Sequence, residues 1–328
     1  MRTGAITAET PGRLFGIRDD DIVLVVLPLF HVFGLSSQLN ICVRFGATMS
    51  LVPRFEPGKV LEVIQRDRVT IFEGVPTMYI ALLNYPRLDD FDVSSLRVAV
   101  SGGAAIPAEV IDAVERKFGF VILEGYGMTE LASTATFNVS AEERKIYSVG
   151  KPIWGVNVQI WDEDGKLLPA GPDHIGELVV RGVNTPNGYH GNLQATAEAF
   201  AGGWFHTGDL GYVDEDGFFF IVDRKKDLII RGGYNVYPRE VEEVLYAHPS
   251  VAEAAVVGVP HDLLGEEIKA YIELKPGATA TEQELVDHVK ERLAAYKYPR
   301  IIEFRDELPK NTTGKILKET LKAAAGRG

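Results

Sequence analysis

The sequence predicts an α/β protein in two parts: a large N-terminal portion combining a parallel-sheet α/β unit with a small β-barrel, and a smaller α+β C-terminal domain. Three observations predict it. Short apolar runs alternate with helical patterns across residues 22–128, turn-linked strand patterns occupy 156–222, and a charged run at 223–227 precedes a third rhythm. At 328 residues the chain also exceeds the ~250 to 300 residues at which single cores stop growing. The division is placed between residues 1–223 and 224–328, at the charged run.

Residues 22–27, 48–52, 69–72, 96–100 and 121–123 read as strands because they are short, apolar and bounded by turn residues. Between them, 57–68 and 107–118 read as helices with proline in the first turn, and the second carries Val110, Ile111 and Val114 at helical spacing. Strands alternating with helices imply a mostly parallel sheet. Farther on, Asp164-Gly165 and Asp216-Gly217 each supply the positive-φ geometry of a tight hairpin, so their flanking strands fold back as a small barrel or folded sheet. The last part reads as a strand at 228–230, a helix at 238–247, strands at 252–259 and 269–274, and a helix at 282–295.

A net charge of −12 argues against nonspecific nucleic-acid binding, which draws its affinity from Lys and Arg neutralising phosphates. A small nucleotide needs only local positive charge. Arg224-Lys225-Lys226 and the stretch between Lys297 and Lys318 supply it, although such clusters also occur as solvated faces. The single cysteine, Cys42, excludes an intramolecular disulfide, makes the cytoplasm the expected compartment, and sits in an apolar stretch where it reads as a small buried hydrophobe. Residues 1–10 lack the apolar core of a signal peptide. The longest apolar run, 22–30, is too short to span a bilayer and contains Pro28, which leaves only peripheral membrane contact open.

Four segments carry chemistry. Glu124-Gly125-Tyr126-Gly127-Met128-Thr129-Glu130 places an aromatic face for a base, a hydroxyl for a phosphate oxygen and a carboxylate for Mg²⁺ in one turn, though the same residues also make ordinary strand-to-loop junctions. Gly203-Trp204-Phe205-His206-Thr207-Gly208-Asp209 presents a carboxylate that can accept from both ribose hydroxyls, or simply cap a turn. Asp223-Arg224-Lys225-Lys226-Asp227 followed by Arg231-Gly232-Gly233 reads as a charged linker and a glycine turn. Pro309-Lys310-Asn311-Thr312-Thr313-Gly314-Lys315-Ile316 reads as a flexible loop carrying a lysine.

In this order, the four segments resemble the adenylate-forming acyl-CoA synthetases, and Met128 favours the acyl-CoA branch over peptide-synthetase adenylation domains. The resemblance implies ATP and CoA as co-substrates, Mg²⁺, and a small carboxylic acid, a medium- to long-chain fatty acid, as partners. It makes residues 1–223 the later portion of the adenylation domain and 224–328 the mobile C-terminal domain, hinged at 224–227 about Lys226. It assigns Lys315 to bridging the substrate carboxylate and the α-phosphate, Thr129 to phosphate, and Glu130 to the metal. Tyr126, Gly127 and the Gly102-Gly103-Ala104 loop would hold adenine, Asp209 and Arg224 the ribose and phosphate, and Gly232-Gly233 the pantetheine arm. His31, Val75 and Thr77 would line the acyl site, with a core histidine as the plainer reading of His31.

Relatives also carry a Ser/Thr/Gly-rich phosphate loop ending in Lys-Gly, whereas Thr3-Gly4-Ala5-Ile6-Thr7 resembles the segment just after that loop, with Thr3 near the expected lysine. The sequence therefore looks N-terminally truncated. Because one lost preorganised donor costs ~10² to 10³ in rate, little ligase activity is expected if Met1 is the true start. The alternative is a catalytically inactive remnant or a nucleotide-binding interaction module.

Overall fold

The computed structural model describes residues 9, 10, 12–14, 16–140, 142–312 and 314–325. Thr3, the rest of the first eight positions, and Thr313 of the lysine segment lie outside the described residues. The chain divides into two compact units: the residues up to Thr207 with Gly211–Ile221, and Gly208–Leu210 with the residues from Val222 onward.

The first unit is built on β1 (Ile22–Val25), β2 (Thr48–Leu51), β3 (Ile71–Gly74), β4 (Val98–Ser101), β5 (Val121–Tyr126), β6 (Thr136–Phe137) and β7 (Lys151–Pro152). They form one sheet in the order β2-β1-β3-β4-β5-β6-β7. The first five are parallel and the last two antiparallel. Parallel strands buried on both faces need continuous apolar runs, as in Val23-Leu24-Val25 and Ile71-Phe72. The helix Pro57–Asp67 buries Val60, Leu61, Val63 and Ile64 and stops where Arg68 turns left-handed. The helix Ala108–Phe118 has Pro107 as its N-cap and ends at left-handed Gly119.

Two helical segments between these strands escape the sequence reading. Pro76–Leu83 forms a helix rather than a pocket-lining loop, because Pro76 at its start has φ preset for helix. Gly34–Asn40 is π-helical and leads into the helix Ile41–Phe45, with Ser36, Ser37, Gln38, Ile41 and Cys42 buried. Its polar residues hide the apolar spacing that marks a helix.

Next come β8 (Val156–Trp161), β9 (Gly176–Gly182), β10 (Phe205–Val213) and β11 (Phe219–Arg224), a four-stranded sheet in the order β11-β10-β9-β8. Gly165 and Gly217 both adopt the positive φ expected of the two Asp-Gly turns. A short helix, Leu193–Ala199, capped by the Asn192 side chain, lies between β9 and β10.

The second unit contains β12 (Ile229–Arg231), β13 (Tyr234–Val236), β14 (Val251–His261), β15 (Gly265–Leu274) and β16 (Ile301–Phe304). Its sheet runs β13-β12-β15-β14, with β16 parallel to β15. The helices Pro238–Tyr246 and Glu282–Lys290 bury Val241, Leu245, Leu285 and Val289 into its core. Thr281 and Glu284 form a capping box at the start of the second, which ends at Lys290 rather than extending to residue 295. The helix Lys318–Ala325 follows and buries Leu321.

One buried ion pair ties the N-terminal edge of the parallel sheet. Asp21, just before β1, has no exposed surface and accepts from the Arg18 amide (2.8 Å), the Thr70 hydroxyl (2.8 Å) and Arg97 Nε (2.9 Å). Burial opposes its ionisation, but Arg97, the Arg18 amide and Thr70 outweigh burial and hold its carboxyl below the usual range. A depressed carboxylate gives its full stabilisation above the unfolded-state pKa and loses it as pH falls through the folded-state value. Replacing Arg97 with Ala should cost about 3 kcal/mol near neutral pH, because it strands a buried charge. It should also move the acid-unfolding midpoint to higher pH. Urea denaturation across the acid range checks both, and an unmoved midpoint would show that Asp21 does not depend on Arg97.

Candidate active site

In the parallel sheet, Gly74 lies opposite Ser101 and Ser101 opposite Glu124, so the chain leaves β3, β4 and β5 at one level on the carboxyl edge. Ligands of α/β proteins bind at this edge. The Gly102 amide donates to Gly74 O (3.3 Å), and a Cβ on Gly102 would stand 3.0 Å from the Phe33 ring. A Cβ on Gly103 would stand 3.5 Å from Val75 Cγ1. The segments holding His31, Val75 and Gly102-Gly103-Ala104 are thereby brought together. Gly102 and Val75 are buried, Gly103 and Ala104 are exposed, and Thr77 is half-buried in the first turn of Pro76–Leu83. His31 is half-buried; its Nδ1 accepts the Phe33 amide (3.2 Å) while its own amide donates to Pro28 O (3.0 Å), which closes the turn before the π-helical segment.

The Tyr126-to-Glu130 turn leaves β5 at the same edge. Ala135 donates its amide to Tyr126 O (2.8 Å), so the chain doubles back within a few residues, and a Cβ on Gly127 would lie 1.6 Å from Ser133 O. Only glycine fits there. Ala132 and Ser133 both have positive φ (52° and 99°), a cost that non-glycine residues carry mostly at functional turns. Thr129 is exposed, and Tyr126 and Glu130 are half-buried. Glu130 Oε1 accepts from the Tyr189 hydroxyl (3.0 Å). Among the described residues no three potential metal-ligating side chains cluster. A lone carboxylate still suits Mg²⁺, which takes one or two protein carboxylates and completes its shell with phosphate and water.

The second unit gathers a different set. Asp209 on β10 is buried, and Arg224 at the end of β11 pairs with it, Nε to Oδ1 at 3.1 Å. Lys225 donates its amide to Gly208 O (2.9 Å), which fixes the chain beside Asp209. Lys226 is exposed and pairs with Glu319 (2.7 Å). Gly232 and Gly233, both with positive φ, form the two-residue turn of the β12–β13 hairpin, a turn that demands glycine-like backbone at both central positions.

Lys315 is tied back to Asn311 within the segment that its polar sequence marks as a loop. Asn311 and Lys315 exchange two hydrogen bonds of 2.9 Å, Lys310 bridges Ile316, and Leu317 donates to Pro309 O (2.8 Å). The asparagine side chain closes the turn, a local effect that composition does not reveal. Although Lys315 presents surface to solvent, partial loss of water and the like charge of Arg224 hold its ammonium below the usual lysine range, while Asp209 and Asp227 pull it up.

Three groups bearing on the site were missed by sequence reasoning. Tyr189 reaches Glu130 from 59 residues away, with no spacing to announce it. Lys318 pairs with Glu242 (2.7 Å) inside the second unit, beside the Lys315 turn. Glu73 is a fully buried carboxyl on β3. Cys42 is buried as expected; burial and the neighbouring Glu73 push its thiol up to about 12. The Lys315 arrangement is testable by side-chain NMR titration. Asp209→Asn should lower the Lys315 pKa further and Arg224→Gln should raise it; a value unmoved by both would rule out the coupling.

The chain matches two family models: AMP-binding enzyme over residues 2–190 and AMP-binding enzyme C-terminal domain over residues 240–315. It is 44% identical over 299 residues to a long-chain-fatty-acid–CoA ligase of Bacillus subtilis, covering 91% of this chain and 53% of that one. It is 41% identical over 312 residues to a feruloyl-CoA synthase of an Amycolatopsis species, covering 94% of this chain and 63% of that one. The anthranilate CoA ligase AuaEII in complex with anthranoyl-AMP superposes with a TM-score of 0.92 at 35% identity, over 99% of this chain and 64% of the other. ATP-bound MatB from Rhodopseudomonas palustris superposes with a TM-score of 0.91 at 36% identity, over 98% of this chain and 64% of the other. The chain thus spans roughly half to two thirds of the length of these proteins, and it belongs to the AMP-binding enzyme family.

Proposed function

We propose that this chain serves an ATP-dependent acyl-CoA ligase that activates a medium- to long-chain fatty acid as acyl-AMP and transfers the acyl group to CoA. The observation that carries this reading is the placement of Lys315 in the electrostatic field of the Asp209–Arg224 pair. A lysine whose ammonium is partly stripped of water and flanked by two carboxylates and a second cation is suited to meet two anions at once. The substrate carboxylate oxygen attacks the α-phosphorus of ATP and pyrophosphate leaves, with Lys315 bridging carboxylate and phosphate oxygens as negative charge gathers. In the second step the CoA sulfur attacks the acyl carbon and AMP leaves.

The other roles are those the family resemblance implies, and the chemistry of the residues suits them. Asp209 accepts from the ribose hydroxyls, and Arg224, already oriented by Asp209, reaches ribose and phosphate. Tyr126 and the Gly102-Gly103-Ala104 loop receive the adenine, and Thr129 bonds a phosphate oxygen. Glu130 would hold Mg²⁺, which when bound offsets the charge of the phosphates, and Tyr189 keeps that carboxylate oriented. Gly232 and Gly233 offer backbone without Cβ to the pantetheine arm, and Lys226 is the pivot. His31, Val75 and Thr77 border the acyl group.

The names of relatives support acid–thiol ligation, while their acids differ: a long-chain fatty acid for the Bacillus subtilis protein, ferulate for the Amycolatopsis protein, 2-succinylbenzoate for one of Geobacillus kaustophilus. The fatty-acid assignment follows the first of these. A cytoplasmic placement belongs to the same proposal and rests on the use of a single, buried cysteine. No helix among the described residues is long and apolar enough to cross a membrane.

Calorimetry with ATP, followed by AMP release across a panel of carboxylic acids with CoA, tests the reading. Lys315→Ala should slow adenylation ~10² to 10³-fold while leaving thioester formation from supplied acyl-AMP within a few-fold. An adenylation rate untouched by that change would overturn Lys315's role. Nucleotide binding without turnover of any acid would favour the nucleotide-binding module instead.

A further inference from the structure

Glu73 is the residue before Gly74 at the carboxyl end of β3, and it has no exposed surface. Neither of its carboxyl oxygens has a hydrogen-bond partner. Buried polar groups are almost always satisfied, and an exception asks for a use. Nothing in the adenylation chemistry above employs it.

Its surroundings sharpen the point. The π-helical segment Gly34–Asn40 brings buried Ser36, Ser37 and Gln38 to this end of the sheet, and each of these side chains is already engaged with backbone. Gln38 accepts from the Leu27 amide (3.3 Å) and donates to Leu24 O (3.0 Å) and to the backbone oxygen of Glu73 (3.3 Å). Ser36 donates to Ala132 O (3.3 Å). Ser37 lies close enough to ease the burial of Glu73, while its hydroxyl donates to Phe33 O (2.7 Å) and neither Glu73 oxygen lies in hydrogen-bonding geometry with a partner. Among these side chains the Glu73 carboxyl alone is left without a hydrogen bond, and buried Cys42 and Tyr79 also adjoin it. The next two residues, Gly74 and Val75, lead into the helix Pro76–Leu83, and Val75 packs beside Gly103 in the segment proposed above to border the acyl group.

We propose that Glu73 determines specificity for the acyl group by hydrogen-bonding a hydroxyl carried on the substrate's chain, so that hydroxylated fatty acids are selected over plain ones. This rests on the ligase reading and names the acid it takes. Burial pushes the Glu73 carboxyl up to about 8, so near neutral pH it is mostly a neutral acid with one donor and acceptor lone pairs. A hydroxyl matches both. A cationic amine would need the ionised form, which burial disfavours. Because Glu73 is covered, the π-helical turn over it must shift to admit the chain, and such widened turns are frequent at functional sites.

The test uses the full chain with AMP present and titrates dodecanoic acid and its monohydroxy isomers, hydroxylated at successive positions, by calorimetry. At least one isomer should bind about 100-fold more tightly than dodecanoate, since sites built around a substrate hydroxyl reject the analogue lacking it strongly. Glu73→Gln, which keeps a donor and an acceptor, should retain most of that preference, and Glu73→Leu should abolish it. Thermal unfolding verifies each fold, and Glu73→Met replaces the leucine variant if that one is misfolded. Equal binding of plain and hydroxylated acids by the unaltered chain, or a preference that survives Glu73→Leu, would overturn this proposal alone. Binding of nucleotide but of no acid at all would overturn the ligase reading together with it.

Discussion

The parallel register of β3, β4 and β5 is the constraint from which the first unit's candidate site follows. Parallel strands in register deliver their following loops to one edge, and here those loops begin at Val75, Gly102 and Gly127. Three segments far apart in sequence become neighbours because the backbone ladder leaves them no alternative. Close packing then sets their spacing: Phe33 fills the space a side chain on Gly102 would need, and the turn after Tyr126 closes so tightly that Gly127 cannot carry one. The Asp21–Arg97 pair secures the opposite edge of the same strands, which leaves the carboxyl edge for loops that carry strain instead of stability.

Electrostatics dominate the second unit. Asp209 is buried, and the Arg224 guanidinium is the cation beside it; Lys315 must share that neighbourhood with Arg224. Arg224 and Lys315 stand with Asp209 and Asp227, so this neighbourhood brings two cations together within a chain whose net charge is −12. An anionic ligand there would meet Arg224 and Lys315 at short range, where the nearest groups matter more than the net charge of the chain. The two hydrogen bonds between Asn311 and Lys315 bear on the same point, since a residue already tied back to a neighbour loses less freedom when it meets a ligand.

Local physical rules were legible in the sequence wherever the cause itself was local. Proline at a helix start, Asp-Gly at a hairpin and unbroken apolar runs in parallel strands each act over a few residues. The helix Pro57–Asp67, the turns at Gly165 and Gly217 and strands β1 to β5 follow from them. The helix Pro76–Leu83 and the π-helical segment Gly34–Asn40 did not, because the first is apolar on nearly every side and the second buries serines and a glutamine while Leu35 is exposed, so neither shows an amphipathic period.

By itself, then, the sequence determined the α/β class and the resemblance to the family to which the chain belongs, and it singled out Tyr126, Asp209, Arg224 and Lys315 as candidates. Tertiary structure alone decided that Tyr189 holds Glu130, that Lys315 rides a closed turn within reach of Arg224's field, and that Glu73 is buried without a partner. The reason is one of range. Turn and helix preferences are written in adjacent residues, whereas burial, desolvation and a missing hydrogen bond depend on which distant segments the sheet register brings together.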